Sequence, residues 1–132
     1  MTQTKPLVLA GAQMEQGPAY LAGACFSSAD ISTQALSTIV ARAVFGYAWT
    51  MPASLPNSVG KVTTAPSANT SFDLQVNGSS VGTVTWLSGS TTPTFNKASD
   101  SNLSIGDYLD LVTPSNLNGM AGAFGLTIIG TR

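Results

Sequence analysis

Group transfer and hydrolysis need a nucleophile beside a base, and this chain has little from which to build one. It contains no His, one Cys, 5 Lys and Arg, and 6 Asp and Glu in 132 residues. Without imidazole, the base must be a carboxylate. Asp107 and Asp110 are the closest acidic pair in the strand-rich part of the chain. Residues three apart on a strand point to opposite faces, so these two cannot converge on one bond. Asp107 reads as a turn residue at a strand entrance, and Asp110 as part of a solvated face. Glu15, Asp30, Asp73 and Asp100 are isolated in sequence. No nucleophile–base pair is visible, and the expectation is that the protein is not an enzyme.

Metal chemistry has as little support. Cys25 stands alone, so it cannot form an internal disulfide or a CxxC zinc site, and it reads as a small buried hydrophobe. Asp100-Ser101-Asn102 offers oxygen ligands without the acidic spacing of a calcium loop. No cofactor is expected. Carbohydrate binding is the stronger chemical alternative, because Trp49, Trp86, Tyr47 and Tyr108 are rings on which sugars stack. Trp86 shares a face with Val84 and reads as core. Tyr108 lies opposite Leu109 and Leu111, which makes it the candidate glycan contact.

The elements that carry these residues are short strands. Phe72, Leu74 and Val76 alternate with Asp73 and Gln75. Asn77-Gly78 follows, the strongest short hairpin signal because both residues tolerate positive φ. Val81 to Leu87 returns with Val84 and Trp86 on one face. Further strands are expected at 59–64, 92–95, 108–112 and 123–130, about seven in all. Their spacing is that of an all-β antiparallel sandwich or small barrel over residues 42–132. No helical pattern follows residue 41, so parallel crossovers are excluded.

From Ile39 to Met51 the chain reads as one strand, with Phe45, Tyr47 and Trp49 at period two. Val40, Val44 and Ala48 lie on the opposite face. A strand apolar on both faces is covered on both, and a partner subunit is a natural second cover. Residues 24–41 form a connector with two readings: a helix capped by Ser27, Ser28 or Asp30, or a loop or irregular strand. Residues 1–23 carry the run Pro6-Leu7-Val8-Leu9-Ala10, long enough for one strand. A lone strand must pair with this domain or with another chain.

Composition narrows the partners. Only 8% of residues are charged, against a usual figure of about 25%, while 43% are hydrophobic. Much of the surface is then expected to meet protein, although Ser, Thr and Asn can also solvate it. Five scattered cations cannot make the basic stripe that nucleic acid or an anionic membrane requires. No signal peptide is visible, and no apolar stretch is long enough for a transmembrane helix. Synthesis in the cytoplasm is expected.

Two stretches together carry a resemblance. Lys5-Pro6-Leu7-Val8-Leu9-Ala10-Gly11-Ala12-Gln13-Met14-Glu15-Gln16 resembles the N-terminal segment of bacteriophage tail and virion-appendage proteins. The second stretch runs from about Met51. It includes Pro52-Ala53-Ser54-Leu55-Pro56-Asn57-Ser58-Val59-Gly60-Lys61, and Asn77-Gly78 followed by Val81-Gly82-Thr83-Val84. Gly106-Asp107-Tyr108-Leu109 and the ending Ile129-Gly130-Thr131-Arg132 complete it. These are similar to a small β-domain common at the C-termini of phage tail proteins.

The resemblance implies a virion structural protein made in the host cytoplasm, with an N-terminal attachment segment and an outward β-domain, in assemblies that are often homotrimers. Almost nothing separates the two stretches, which argues against a long fibre shaft. A short fibre, a baseplate or neck component, or a capsid-decorating protein remains. The expected contacts are Pro6, Leu7, Val8 and Leu9 on another virion protein by strand addition, and Phe45, Tyr47 and Trp49 between subunits. The alternative is an adhesion module holding a host surface glycan through Tyr108.

Overall fold

The computed structural model of the protein describes residues 21–132. They form two antiparallel five-stranded sheets packed as a sandwich, with ten strands where the sequence suggested about seven. In chain order the strands are β1 (Leu21–Ser28), β2 (Ile39–Val44), β3 (Trp49–Met51), β4 (Val59–Thr64) and β5 (Thr70–Val76). They continue with β6 (Ser79–Trp86), β7 (Thr94–Asn96), β8 (Ser101–Leu103), β9 (Tyr108–Val112) and β10 (Ala121–Thr131). The first sheet has the order β2-β9-β5-β6-β7. The second runs β1-β10-β3-β8, with β4 also paired to β10.

The β5–β6 hairpin forms for the reason its sequence suggests. Asn77 and Gly78 take φ of 50° and 87°, the left-handed pair that lets a two-residue turn match strand twist. The register then sets Phe72 against Val84 and Thr70 against Trp86. Alternation drives Phe72, Leu74, Val84 and Trp86 into the core, where all four are fully buried. Phe72, Trp86 and Phe124 bring rings from both sheets to centroid separations of 5.1–5.5 Å. Both indole N–H groups are satisfied by backbone, Trp86 Nε1 donating to Thr91 O and Trp49 Nε1 to Ala22 O.

The long β10 organises the second sheet. β1 pairs with it over eight residues, from Leu21 against Thr131 to Ser28 against Phe124. On its other edge β4 takes the N-terminal part and β3 meets Thr131. Residues 21–41, set apart by the sequence as the end of an attachment segment and a connector, thus supply an edge strand, a link and the start of another edge strand.

The helix-or-loop alternative for that link resolves into a three-residue 3-10 turn, Ile31–Thr33. Asp30 caps it by accepting from the Ser32 N–H, and the same carboxylate accepts from the N–H of Gly122 at the irregular start of β10. Thr113 anchors the rest, its hydroxyl donating to Ala35 O and accepting from the Thr38 N–H.

The expected single strand from Ile39 to Met51 is two strands in different sheets. After Val44 the chain is held by reciprocal backbone bonds between Phe45 and the 104–107 turn. It then crosses the sandwich and resumes at Trp49, opposite Leu103. Period two survived the corner in sequence because both ends bury aromatics. It does not describe one continuous ladder.

Candidate interaction surface

The sandwich presents two outer faces and an edge. On the first sheet, β9 buries Leu109, Asp110 and Leu111 in succession. Leu109 and Leu111 enter the core, so Asp110 points to the outer face and is nonetheless only 1% exposed. Register explains this. Asp110 stands directly opposite Arg42 on β2 and Gln75 on β5. Arg42 Nε and Nη2 donate to the two carboxylate oxygens at 2.7 and 2.9 Å, a bidentate fork. The hydrogen bond to Asp110 holds the Arg42 guanidinium above its ordinary pKa, against the opposing effect of burial.

The reading of Asp110 as a solvated residue is therefore corrected. A carboxylate on an outward position is buried where Arg42 of the neighbouring strand closes on it as a bidentate pair, and strand register is not visible in the chain. The guanidinium carbon of Arg42 sits 4.1 Å from the Tyr108 ring centroid, so cation–π contact occupies a face of the proposed glycan contact.

The other described aspartates are also committed. Asp107 accepts from the Ser104 N–H across its turn, and that bond, with the Asn77 side chain, lowers its pKa. Asp73 accepts from Gln75 and Ser80. Asp100 accepts from the Ala53 N–H. Asp30 is lowered first by the Ser32 hydroxyl and then by the backbone N–H of Gly122. Lys97 is buried, donating to Ser99 O and Ser101 Oγ, and desolvation pushes its pKa down. Among the described residues no three or more His, Cys, Asp or Glu side chains are grouped as a metal would need.

The aromatic trio divides. Phe45 and Trp49 are buried in the core of their own chain and stack at 4.5 Å. Tyr47 is half-buried, packs edge-on to Phe45, and carries Arg132 over its ring at 4.0 Å. Pro6, Leu7, Val8 and Leu9 lie outside the described residues.

The outer face of the second sheet has a different character. Outward positions alternate with buried ones along β1, β10 and β4. They present Leu21, Gly23, Cys25 and Ser27, then Ala123, Gly125, Thr127 and Ile129, then Val59, Lys61 and Thr63. Leu21 and Val59 are 60% and 61% exposed. Lys61 is the one charge on these three strands, and it donates sideways to Thr91. Gly125 has open space where a Cβ would stand, which leaves a shallow trough between Ser27 and Lys61.

Cys25 is part of this exposed face, with Thr127 Oγ1 at 3.6 Å, and is not the buried residue its composition suggested. Its neighbours Ala24 and Phe26 take the inward positions. No protein-family model, curated protein or solved structure matches the chain.

Proposed function

We propose that the protein is a structural component of a bacteriophage virion. In this reading it acts as a compact β-module in a homo-oligomer, and the chain ahead of Leu21 links it to a neighbour. The observation that carries the reading is the outer face of the second sheet. Three adjacent strands present small and β-branched side chains with a single cation and no carboxylate. A flat, nearly uncharged face is inexpensive to desolvate and suits contact with protein.

Two further observations support it. The carboxylates of the described residues hold turns, caps and a cross-strand pair, which fits a scaffold. The resemblance of residues 5–16 and 51–132 to phage appendage proteins supplies the biological setting. Many copies on a symmetric particle let individually weak contacts add.

The mass of the full chain, measured by light scattering at micromolar concentration, tests the assembly. A trimer or larger species is expected, with a mass unchanged between low and high salt because the face carries almost no charge. Thr127→Arg, which places a cation at the centre of the face, is expected to give a monomer with an unchanged far-UV spectrum. A monomeric wild-type chain overturns the reading.

A further inference from the structure

We infer that the trough over Gly125 on the second-sheet face receives a projecting corner of a second copy of this chain, built from Val44 and Ile105 with Tyr47 and Tyr108 beside them. The inference rests on the assembly reading and names the surface that its uncharged face grips.

Symmetry sets the requirement. A face that packs on its own copy about a two-fold axis closes at two chains. Three or more chains in a ring need two different surfaces that fit each other, repeated head to tail. The second-sheet face is the hollow member of such a pair. Two shallow troughs of about 460 and 530 Å³ meet at Gly125, where open space replaces a side chain. Cys25, Ser27, Val59 and Thr127 border the first, and Thr63, Thr91 and Ala123 the second. The exposed surface of both is more apolar than polar, and Lys61 is the one charged residue that lines them.

The projecting member lies where β2 ends. Ile105 and Val44 are the most exposed large hydrophobic side chains among the described residues, at 74% and 66%. Backbone bonds place them at one corner. The Phe45 N–H donates to Asp107 O and the Gly106 N–H to Phe45 O, which ties the end of β2 to the 104–107 turn. Tyr108 stands opposite Val44 in the β2–β9 ladder, and Tyr47 packs on Phe45. Both tyrosines are half-buried, and each carries a guanidinium, Arg42 over Tyr108 and Arg132 over Tyr47. Tyr and Arg are the residues in which interface hot spots are rich, and here they stand beside two protruding aliphatic side chains. Charge matches shape. Asp110 neutralises Arg42, and Asp107, two residues past Ile105, is the carboxylate that this corner offers to Lys61. One such pair adds little affinity but orients the contact.

Blocking each surface in a separate full-length chain tests this by light scattering. Ile105→Arg puts a cation on the corner, and Thr127→Arg puts one in the face. Each variant alone is expected to have the mass of one chain and an unchanged far-UV spectrum. Their equimolar mixture is expected to form pairs of two chains and nothing larger. One chain then supplies the intact face and the other the intact corner. The mixture is measured at roughly 100 μM, because a single contact lacks the gain of ring closure. Val44→Arg, at the other projecting side chain, should repeat both results, so a folding defect at one position does not decide the outcome. If both corner variants keep the wild-type mass, the corner is not the partner surface and the assembly reading stands. If they are monomeric but the mixture forms no pairs, the two surfaces do not meet and the inference is overturned. A monomeric wild-type chain overturns both.

Discussion

Arg42 and Asp110 show how one side-chain pair stabilises an outward-facing strand position. Asp110 is fully buried while the Arg42 side chain is 47% exposed, so water screens one end of the pair. Removing Arg42 strands a buried carboxylate, which in a wholly buried pair costs about 3–5 kcal/mol. With this exposure, Arg42→Ala should cost less than that, and Asp110→Asn less again, because an amide needs less compensation. Urea denaturation of both variants checks the order. Asp30 gives a pH signature. Its hydrogen bonds depress its folded-state pKa below the unfolded value. Its contribution is thus complete above the unfolded carboxylate pKa and is lost as pH falls through the folded one. The stability difference between wild type and Asp30→Asn should be largest at neutral pH and shrink on acidification. Thermal unfolding across that pH window measures it. Of these residues, Asp30 was one of three candidate caps in the sequence. The burial of Asp110 was not, because it depends on which residues of β2 and β5 lie opposite.

Strands and turns carry the next level of constraint. β10 approaches β3 so closely that a Cβ on Gly130 would strike the Thr50 carbonyl and the Trp49 indole, and neither can move without disturbing the sandwich. Gly130→Ala should therefore destabilise by about 1–3 kcal/mol, as overpacking does. The drop in thermal midpoint should be accompanied by a change in tryptophan fluorescence, since Trp49 is the group displaced. The β5–β6 hairpin was readable from Asn77-Gly78 and its flanking alternation. β9 was readable from the alternation of Leu109 and Leu111, and β4 only as a short run at 59–64 closed by Pro66. β1 was obscured because after Leu21 it is made of Ala, Gly, Cys and Ser around a single Phe, mostly residues with weak strand preference. Its structure comes from pairing with β10, a partner about a hundred residues away.

At the scale of the whole molecule, residues 21–132 close a core from both sheets, with Phe72, Trp86 and Phe124 at its centre and Phe45 and Trp49 bridging one corner. Every core residue among the described ones lies at or after Ala24, outside residues 2–16. Deleting them should leave the far-UV spectrum and cooperative unfolding intact while lowering the solution mass and abolishing incorporation into particles. Loss of folding in the deletion, or incorporation without the segment, would contradict the division of labour proposed for the two parts. With Phe45 and Trp49 buried within one chain, the proposed subunit contact falls to Tyr47 and the second-sheet face.

By itself the sequence determined the class of the fold and the scarcity of ionisable side chains. Alternation and turn residues act over a few positions, and composition is a property of the chain alone. Tertiary structure decided which strands share a sheet, where the apparent strand at 39–51 breaks, which carboxylate is buried and which outer face is left nearly uncharged. Those outcomes depend on register and packing between residues far apart in the chain, and a one-residue shift in register exchanges core for surface.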